Sequence, residues 1–205
     1  MDQLGYYQSF LSPEEWSWVQ PTSSAAVRIL ARGLLRRLLA HYLKTDPHTL
    51  CFEYGIHGKP RLKGGGLQFN VSHSHEKIVM IFSKDHAVGV DVEYVKRKAA
   101  YLAIAKRFFS QKEAAYLSAL SSAALPGAFF KIWTLKEAYV KSTGEGVGAF
   151  RYFSVDIEDK DLRIQASSVL SSPCFLSQFV LDKDYQVAYT CQTAERVQVC
   201  AFNKF

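Results

Sequence analysis

Two acids stand two positions apart in "VGVDVEYV", Asp91 and Glu93. On a strand, residues i and i+2 project from one face. The pair would therefore sit side by side, with Val90, Val92 and Tyr94 turned the other way into a core. Adjacent carboxylates repel unless positive charge lies between them. A hard divalent cation meets that need, because Mg²⁺ takes one or two carboxylates and fills its remaining positions with waters and phosphate oxygens. A solvated strand face would account for the same two residues, since DxE is a short pattern.

A third acid stands in "FFKIWTLKEAYVKSTGEG", residues 129–146. Read as a helix, this stretch places Trp133, Glu137 and Lys141 four apart on one face, with Phe130 continuing it backward. As an exposed i,i+4 ion pair, Glu137 and Lys141 would contribute roughly 0.3–0.5 kcal/mol and no chemistry. If the helix packs against the Asp91 strand, they add a third carboxylate and a cation to one site. Lys141 is expected to lower the pKa of Glu137 and favour its ionised form. Trp133 reads as core that orients the glutamate.

These residues need elements to hold them. Residues 24–44 have helical apolar spacing at Val27, Leu30, Leu34, Leu35, Leu38 and Leu39, with serines placed to cap the start. Arg28, Arg32 and Arg36 form a stripe four apart; Arg32, Arg36 and Arg37 read as solvated. "CFEYGIHGKPRL" reads as short strands broken by glycine and proline, and "GGGLQFNVSHS" as a glycine turn and a strand. "EKIVMIFSKDHAVGVDVEYV" reads as a hairpin of strands 77–83 and 87–95 turning at Lys84–Asp85. "KRKAAYLAIAKRFF" and "SQKEAAYLSAL" are helical, the second opened by a Ser110–Glu113 capping box. The helix with Glu137 spans 127–142 and ends at Gly144. Beyond it, "FRYFSVDIE", "LRIQASSVL", "CFLSQFVL", "YQVAYTCQ" and "RVQVCAF" read as strands. Helix then strands, helices then strands, suggests an internal duplication.

Composition bounds the rest. The chain has 205 residues, 48 % apolar and 21 % charged, with a formal net charge of +6. That suits a soluble globular protein of one large domain or two small halves. There is no apolar run long enough for a transmembrane helix. The N-terminus lacks the basic start and apolar stretch of a signal peptide, so a cytoplasmic location is expected. Cys51, Cys174, Cys191 and Cys200 are dispersed and form no CxxC, and they read as buried apolar residues in a reducing compartment.

"VGVDVE", "FFSQKE" and "FFKIWTLKEAYVK", preceded in order by "HGKPRL" and "FNVSHS", resemble the motif set of the 4′-phosphopantetheinyl transferases, in their longer surfactin-synthetase-activating type. The resemblance spans residues 24–146. It implies an α+β fold of two similar halves related by pseudo-twofold symmetry, each a helix packed on a small antiparallel sheet. Residues 1–96 would form one half and 97–205 the other. It further implies an Mg²⁺-dependent transfer of phosphopantetheine from coenzyme A to a serine of an apo acyl or peptidyl carrier protein, releasing 3′,5′-ADP. By this likeness Asp91 and Glu93 are the metal ligands, with Glu137 a third ligand or the general base, and Lys141 reaches the phosphates. Lys59 lies near the nucleotide, and Ser72 and His73 match a Ser–His pair whose histidine binds the 3′-phosphate. Arg28 matches a basic position on the same phosphate. Glu113 matches an acidic position of the family, although its capping box already explains it. Family members usually open with an apolar strand of the "VxVW" kind, of which "YYQSFLSPEEWSW" offers only a short version.

Lys96, Arg97 and Lys98 follow the acidic strand and are expected to meet an acidic carrier protein. A monomer is expected, with no membrane and no nucleic-acid partner. Two rival readings are another Mg²⁺-dependent phosphoryl-transfer enzyme or hydrolase, and a non-enzymatic basic module that binds nucleic acid through the arginine stripe and the aromatics. No nucleic-acid motif accompanies the second.

Overall fold

The computed structural model describes residues 3–19, 24–96, 98–155, 164–166, 174–192, 197–198 and 200. Two short helices, α1 (Gln3–Gln8) and α2 (Pro13–Val19), precede the long helix α3 (Ala25–Leu43). Strands β1 (Phe52–Tyr54) and β2 (Pro60–Leu62) pair with each other, as do β3 (Gln68–Ser74) and β4 (Lys77–Ser83). Strand β5 (Val88–Tyr94) leads to helices α4 (Tyr101–Phe108), α5 (Gln111–Ser118) and α6 (Leu125–Thr143). A 3₁₀ turn at Val147–Tyr152 and strands β6 (Phe153–Val155), β7 (Ile164–Ala166), β8 (Phe175–Leu181) and β9 (Tyr185–Cys191) complete the α+β fold. Every paired strand is antiparallel, and β5 forms a three-stranded sheet in the order β5-β9-β8. The division expected at 96/97 thus falls just after a strand that pairs across it.

The hairpin expected between 77–83 and 87–95 does not form. Both strands exist, but β4 pairs with β3 around a two-residue turn at His75–Glu76, while β5 pairs with β9. Side-chain alternation explains the difference. Val88, Val90 and Val92 turn one way and pack on Ile81 of β4, so β4 covers a face of β5 without extending its ladder. Gly89, Asp91 and Glu93 turn the other way, toward α6. The core on that side joins Leu135, Ala138 and Tyr139 of α6 to Leu176 and Ala188 of the sheet.

The N-terminal segment, which offers only a short version of the family's apolar strand, is helical. Ser12 and Glu15 cap α2 reciprocally: the Ser12 N–H donates to Glu15 Oε2 at 3.0 Å and the Glu15 N–H to Ser12 Oγ at 3.3 Å, with Pro13 at the first position. Glu15 then corrects a second expectation. Arg32 and Arg36 are buried, not solvated, because Glu15 is buried between them. Arg36 Nε lies 2.7 Å from Glu15 Oε2 and its Nη1 donates to the Pro47 and Leu50 carbonyls. Arg32 lies against Phe52, with Trp18 and Tyr54 beside it. Arg37 is exposed, as expected. Ser24 starts α3 without a side-chain cap bond.

Helix α6 ends at Gly144 in the left-handed conformation (φ 83°), as its sequence predicts. Residues 150–152, the start of the strand expected in "FRYFSVDIE", belong instead to the 3₁₀ turn at Val147–Tyr152. Of the strand expected in "RVQVCAF", residues 197, 198 and 200 are not in a strand and the others lie outside the described residues. All four cysteines are free, but only Cys191 is buried; Cys51 and Cys200 are exposed.

Helix α6 crosses β5 at Gly89. A side chain there would place its Cβ 2.0 Å from the Ala138 carbonyl oxygen and 2.6 Å from the Ser142 nitrogen. Glycine at this position lets the two backbones touch, and every later residue of β5 is registered against α6 from that contact. Gly89→Ala is expected to destabilise the protein by about 1–3 kcal/mol or more, because backbone must move to admit the methyl. Urea unfolding measures this, and an unchanged midpoint would contradict the close crossing.

Candidate functional site: an acidic pair between β5 and α6

Asp91 is buried at 3 % exposure, and its two carboxylate oxygens differ. Oδ1 accepts from Ser72 Oγ at 2.8 Å and from Lys141 Nζ at 2.5 Å. Oδ2 is buried with no hydrogen-bond partner. A buried, unpartnered carboxylate oxygen costs free energy unless something supplies positive charge to it. Burial pushes the Asp91 carboxyl up, and Lys141 and Ser72 pull it back.

Glu93, one strand repeat further, is half-buried, and its Oε2 accepts from Ser74 Oγ at 3.1 Å. Glu137 faces both acids from α6. Burial pushes its carboxyl up to about 7; Lys141 lowers it, while Asp91 and Glu93 raise it further. The expectation that Lys141 would leave Glu137 with a lowered pKa therefore fails. The lysine acts in the expected direction, but its ammonium is spent on Asp91, and desolvation plus two like charges prevails.

Ser72 stands between the acids and the cations. It donates to Asp91 and accepts from Lys141 Nζ at 3.1 Å and from the Val92 N–H at 3.4 Å. His73, the next residue of β3, projects to the opposite face of its strand. Partial burial of its ring, together with the Arg28 and Lys141 cations, holds the imidazole below the usual histidine range. Arg28 and Lys141 thus both act on His73. Lys59 donates to the carbonyls of Val88 at 3.2 Å and Ser142 at 3.1 Å, tying the start of β5 to the end of α6. Burial, with Arg61 nearby, brings its ammonium down to about 8. Lys59 also lines a cleft of about 180 Å³ with Arg61, Gly64, Gly65 and Gln68.

Glu113 lies in a different network. It is buried, closes the Ser110 capping box, accepts from the Val155 N–H at 2.9 Å and pairs with Lys136 at 3.0 Å. Lys136, fully buried, also donates to the Phe150 and Phe153 carbonyls and lies over the Phe153 ring at 4.1 Å. Burial brings the Lys136 ammonium down to about 8 against the pull of Glu113. This pair fixes α5 and the 150–155 segment to α6, and no contact joins it to Asp91 among the described residues. Lys96 and Lys98 are exposed, Lys96 paired with Asp184 at 2.7 Å; Arg97 lies outside the described residues.

The residues present suit a hard divalent cation. Among the described residues no three His, Cys, Asp or Glu side chains close into a ready-made cage. Mg²⁺ does not need one, since it keeps waters and takes substrate oxygens alongside one or two carboxylates. Asp91 Oδ2 is the oxygen that lacks a partner. Three residues that sequence reasoning passed over matter here. Ser74 repeats the position of Ser72 by strand alternation, Gly89 sets the helix crossing, and Lys136 sits among apolar neighbours on the core side of α6.

The family model of the 4′-phosphopantetheinyl transferase superfamily matches residues 87–200. The chain is 38 % identical over 120 residues to 4′-phosphopantetheinyl transferase HetI of Nostoc sp., covering 57 % of this chain and 51 % of that protein. It is 36 % identical over 148 residues to a putative 4′-phosphopantetheinyl transferase of Synechocystis sp., covering 69 % and 60 %. To 4′-phosphopantetheinyl transferase Sfp of Bacillus subtilis it is 27 % identical over 193 residues, covering 89 % and 82 %. The chain spans about half to three fifths of the length of the first two relatives.

The raised pKa of Glu137 has a direct consequence for metal-free protein. A carboxyl whose folded pKa lies above its unfolded value of 4.5 contributes stability below about 4.5 that is lost as pH rises toward about 7. Glu137→Gln cannot ionise. In a chelator, its stability relative to the unsubstituted chain is expected to rise between pH 5 and pH 8, measured by urea unfolding at both. A constant difference would show that ionising Glu137 costs nothing in the fold.

Proposed function

The chain belongs to the 4′-phosphopantetheinyl transferase superfamily, and we propose that it transfers 4′-phosphopantetheine from coenzyme A to a serine of an apo acyl or peptidyl carrier protein. The observation that supports this most is the meeting of two charge sets at Ser72. Asp91, Glu93 and Glu137 gather around the Lys141 ammonium, and Arg28 and His73 extend the positive charge beyond it. A pyrophosphate ester with a further phosphate needs both: cations for its anionic oxygens and acids for the ion that accompanies it.

Asp91 and Glu93, with Glu137, would hold Mg²⁺. When bound, Mg²⁺ supplies Lewis-acid neutralisation of the pyrophosphate oxygens. Lys141 exchanges its bond to Asp91 for a phosphate oxygen of coenzyme A, and Arg28 and His73 take the 3′-phosphate. Lys59 lies near the nucleotide, held by two carbonyls that join β5 to α6. In the transfer, the serine Oγ forms a bond to the phosphorus on the pantetheine side, and the pyrophosphate P–O bond breaks. The bonding pair leaves with adenosine 3′,5′-bisphosphate, and Glu137 accepts the serine proton, directly or through water. With the cation bound, the Glu137 carboxylate would stay ionised for that task. Lys96, Arg97 and Lys98 would meet the acidic surface of the carrier, with an effect on association rate that fades with salt.

Intact mass spectrometry of an apo carrier protein, incubated with the chain, Mg²⁺ and coenzyme A, tests the reaction. One phosphopantetheine is expected on the carrier serine, and none with Asp91→Ala, whose fold should persist. Transfer by Asp91→Ala at a normal rate and low Mg²⁺ would remove Asp91 from the ligand set. No product on any of several carriers would defeat the proposed reaction.

A further inference from the structure

Strands β3 and β5 belong to different sheets, yet they are joined by a regular series of side-chain bonds. Asn70 Oδ1 accepts from the Val90 N–H at 2.9 Å, Ser72 Oγ from the Val92 N–H at 3.4 Å and Ser74 Oγ from the Tyr94 N–H at 3.0 Å. The offset is constant at twenty residues, so the two strands run in the same direction. Each serine both accepts and donates. Ser72 accepts from the amide after Asp91 and donates to Asp91 itself; Ser74 accepts from the amide after Glu93 and donates to Glu93. At the first rung the matching residue of β5 is Gly89, where α6 crosses, and Asn70 has no carboxylate to hold. The series thus has one purely structural rung and two that also grip an acid.

We propose that Ser74 is a positioning residue for Glu93, holding its carboxylate for a divalent cation as Ser72 holds Asp91. The inference rests on the divalent-cation reading given above. Glu93 is half-buried near the end of β5. The bond from Ser74 Oγ sets where its Oε2 points. The hydroxyl is anchored by the Tyr94 N–H, so its proton is left to point at the carboxylate. Removing it takes from the carboxylate a donor that is fixed to the strand.

Calorimetric titration with Mn²⁺ in the absence of coenzyme A tests this without reference to turnover. Ser74→Ala is expected to weaken Mn²⁺ binding roughly 10-fold, the usual effect of losing a partner that orients a ligand. Ser74→Thr, which keeps the hydroxyl, is expected to restore it. Asn70→Ala is the comparison that separates positioning from folding: it removes the same kind of backbone bond, so it should unfold at lower urea yet bind Mn²⁺ as the unsubstituted chain does. In transfer assays, Ser74→Ala should need more Mg²⁺ and reach nearly the same kcat at saturation. Ser74→Ala binding Mn²⁺ within twofold of the unsubstituted chain, or Asn70→Ala losing as much affinity, would overturn the inference. Asp91→Ala tells that failure apart from failure of the reading beneath it: retained Mn²⁺ affinity in Asp91→Ala would overturn the cation site itself, and lost affinity there with an unaffected Ser74→Ala would overturn the role of Ser74 alone.

Discussion

The free edge of β5 is the constraint on which the site depends. One edge of this strand pairs with β9. The other presents the N–H groups of Val90, Val92 and Tyr94 inside the protein, where each unsatisfied donor would cost about 1–3 kcal/mol. Among the described residues no backbone strand completes that edge. Asn70, Ser72 and Ser74 complete it with side-chain oxygens, and the β3–β4 hairpin is locked to the β5-β9-β8 sheet as a result. A backbone ladder would have satisfied the amides and done nothing more. Hydroxyls satisfy them and keep a proton to donate, and that proton goes to a carboxylate.

Helix α6 brings the remaining groups by touching β5 at Gly89. From that crossing, Lys141 reaches Asp91 and Glu137 faces the acidic strand. The resulting site is tense: three acids, one ammonium, and an Asp91 oxygen without a partner. The rest of the molecule handles buried charge differently. Glu113 is matched by Lys136 and backbone amides, and Glu15 is held by Arg36 with Arg32 alongside. Those pairs hold α5 and α6 together and α2 on α3, and breaking one by removing a single partner typically costs about 3–5 kcal/mol. At the site three acids share one ammonium, whereas each scaffold acid has at least one cation of its own.

Much of this was legible in the sequence, for reasons tied to particular residues. Alternation in "VGVDVEYV" places Asp91 and Glu93 on one face, and four-residue spacing places Glu137 and Lys141 on one side of α6. The capping box at Ser110 and the glycine stop at Gly144 give local element ends that need no tertiary information. What escaped depends on partners distant in the chain. Nothing near β5 reveals that it pairs with a strand about a hundred residues later in preference to the adjacent β4. Arg32 and Arg36 look solvated until Glu15, some twenty residues earlier, is buried between them. Glu137 looks ionised beside Lys141 until that lysine is seen bound to Asp91. Lys136 looks like surface by residue type, although Ile132, Leu135 and Tyr139 around it mark the core side of the helix.

The central claim is that β5 and α6 together form a divalent-cation site that faces the pyrophosphate of coenzyme A. Electron–nuclear double resonance of Mn²⁺ bound with coenzyme A tests it most directly. The account predicts one bound Mn²⁺ per chain with ³¹P coupling from directly attached pyrophosphate oxygens, absent in Asp91→Asn. Bound Mn²⁺ without ³¹P coupling, or the same coupled signal in Asp91→Asn, would contradict it.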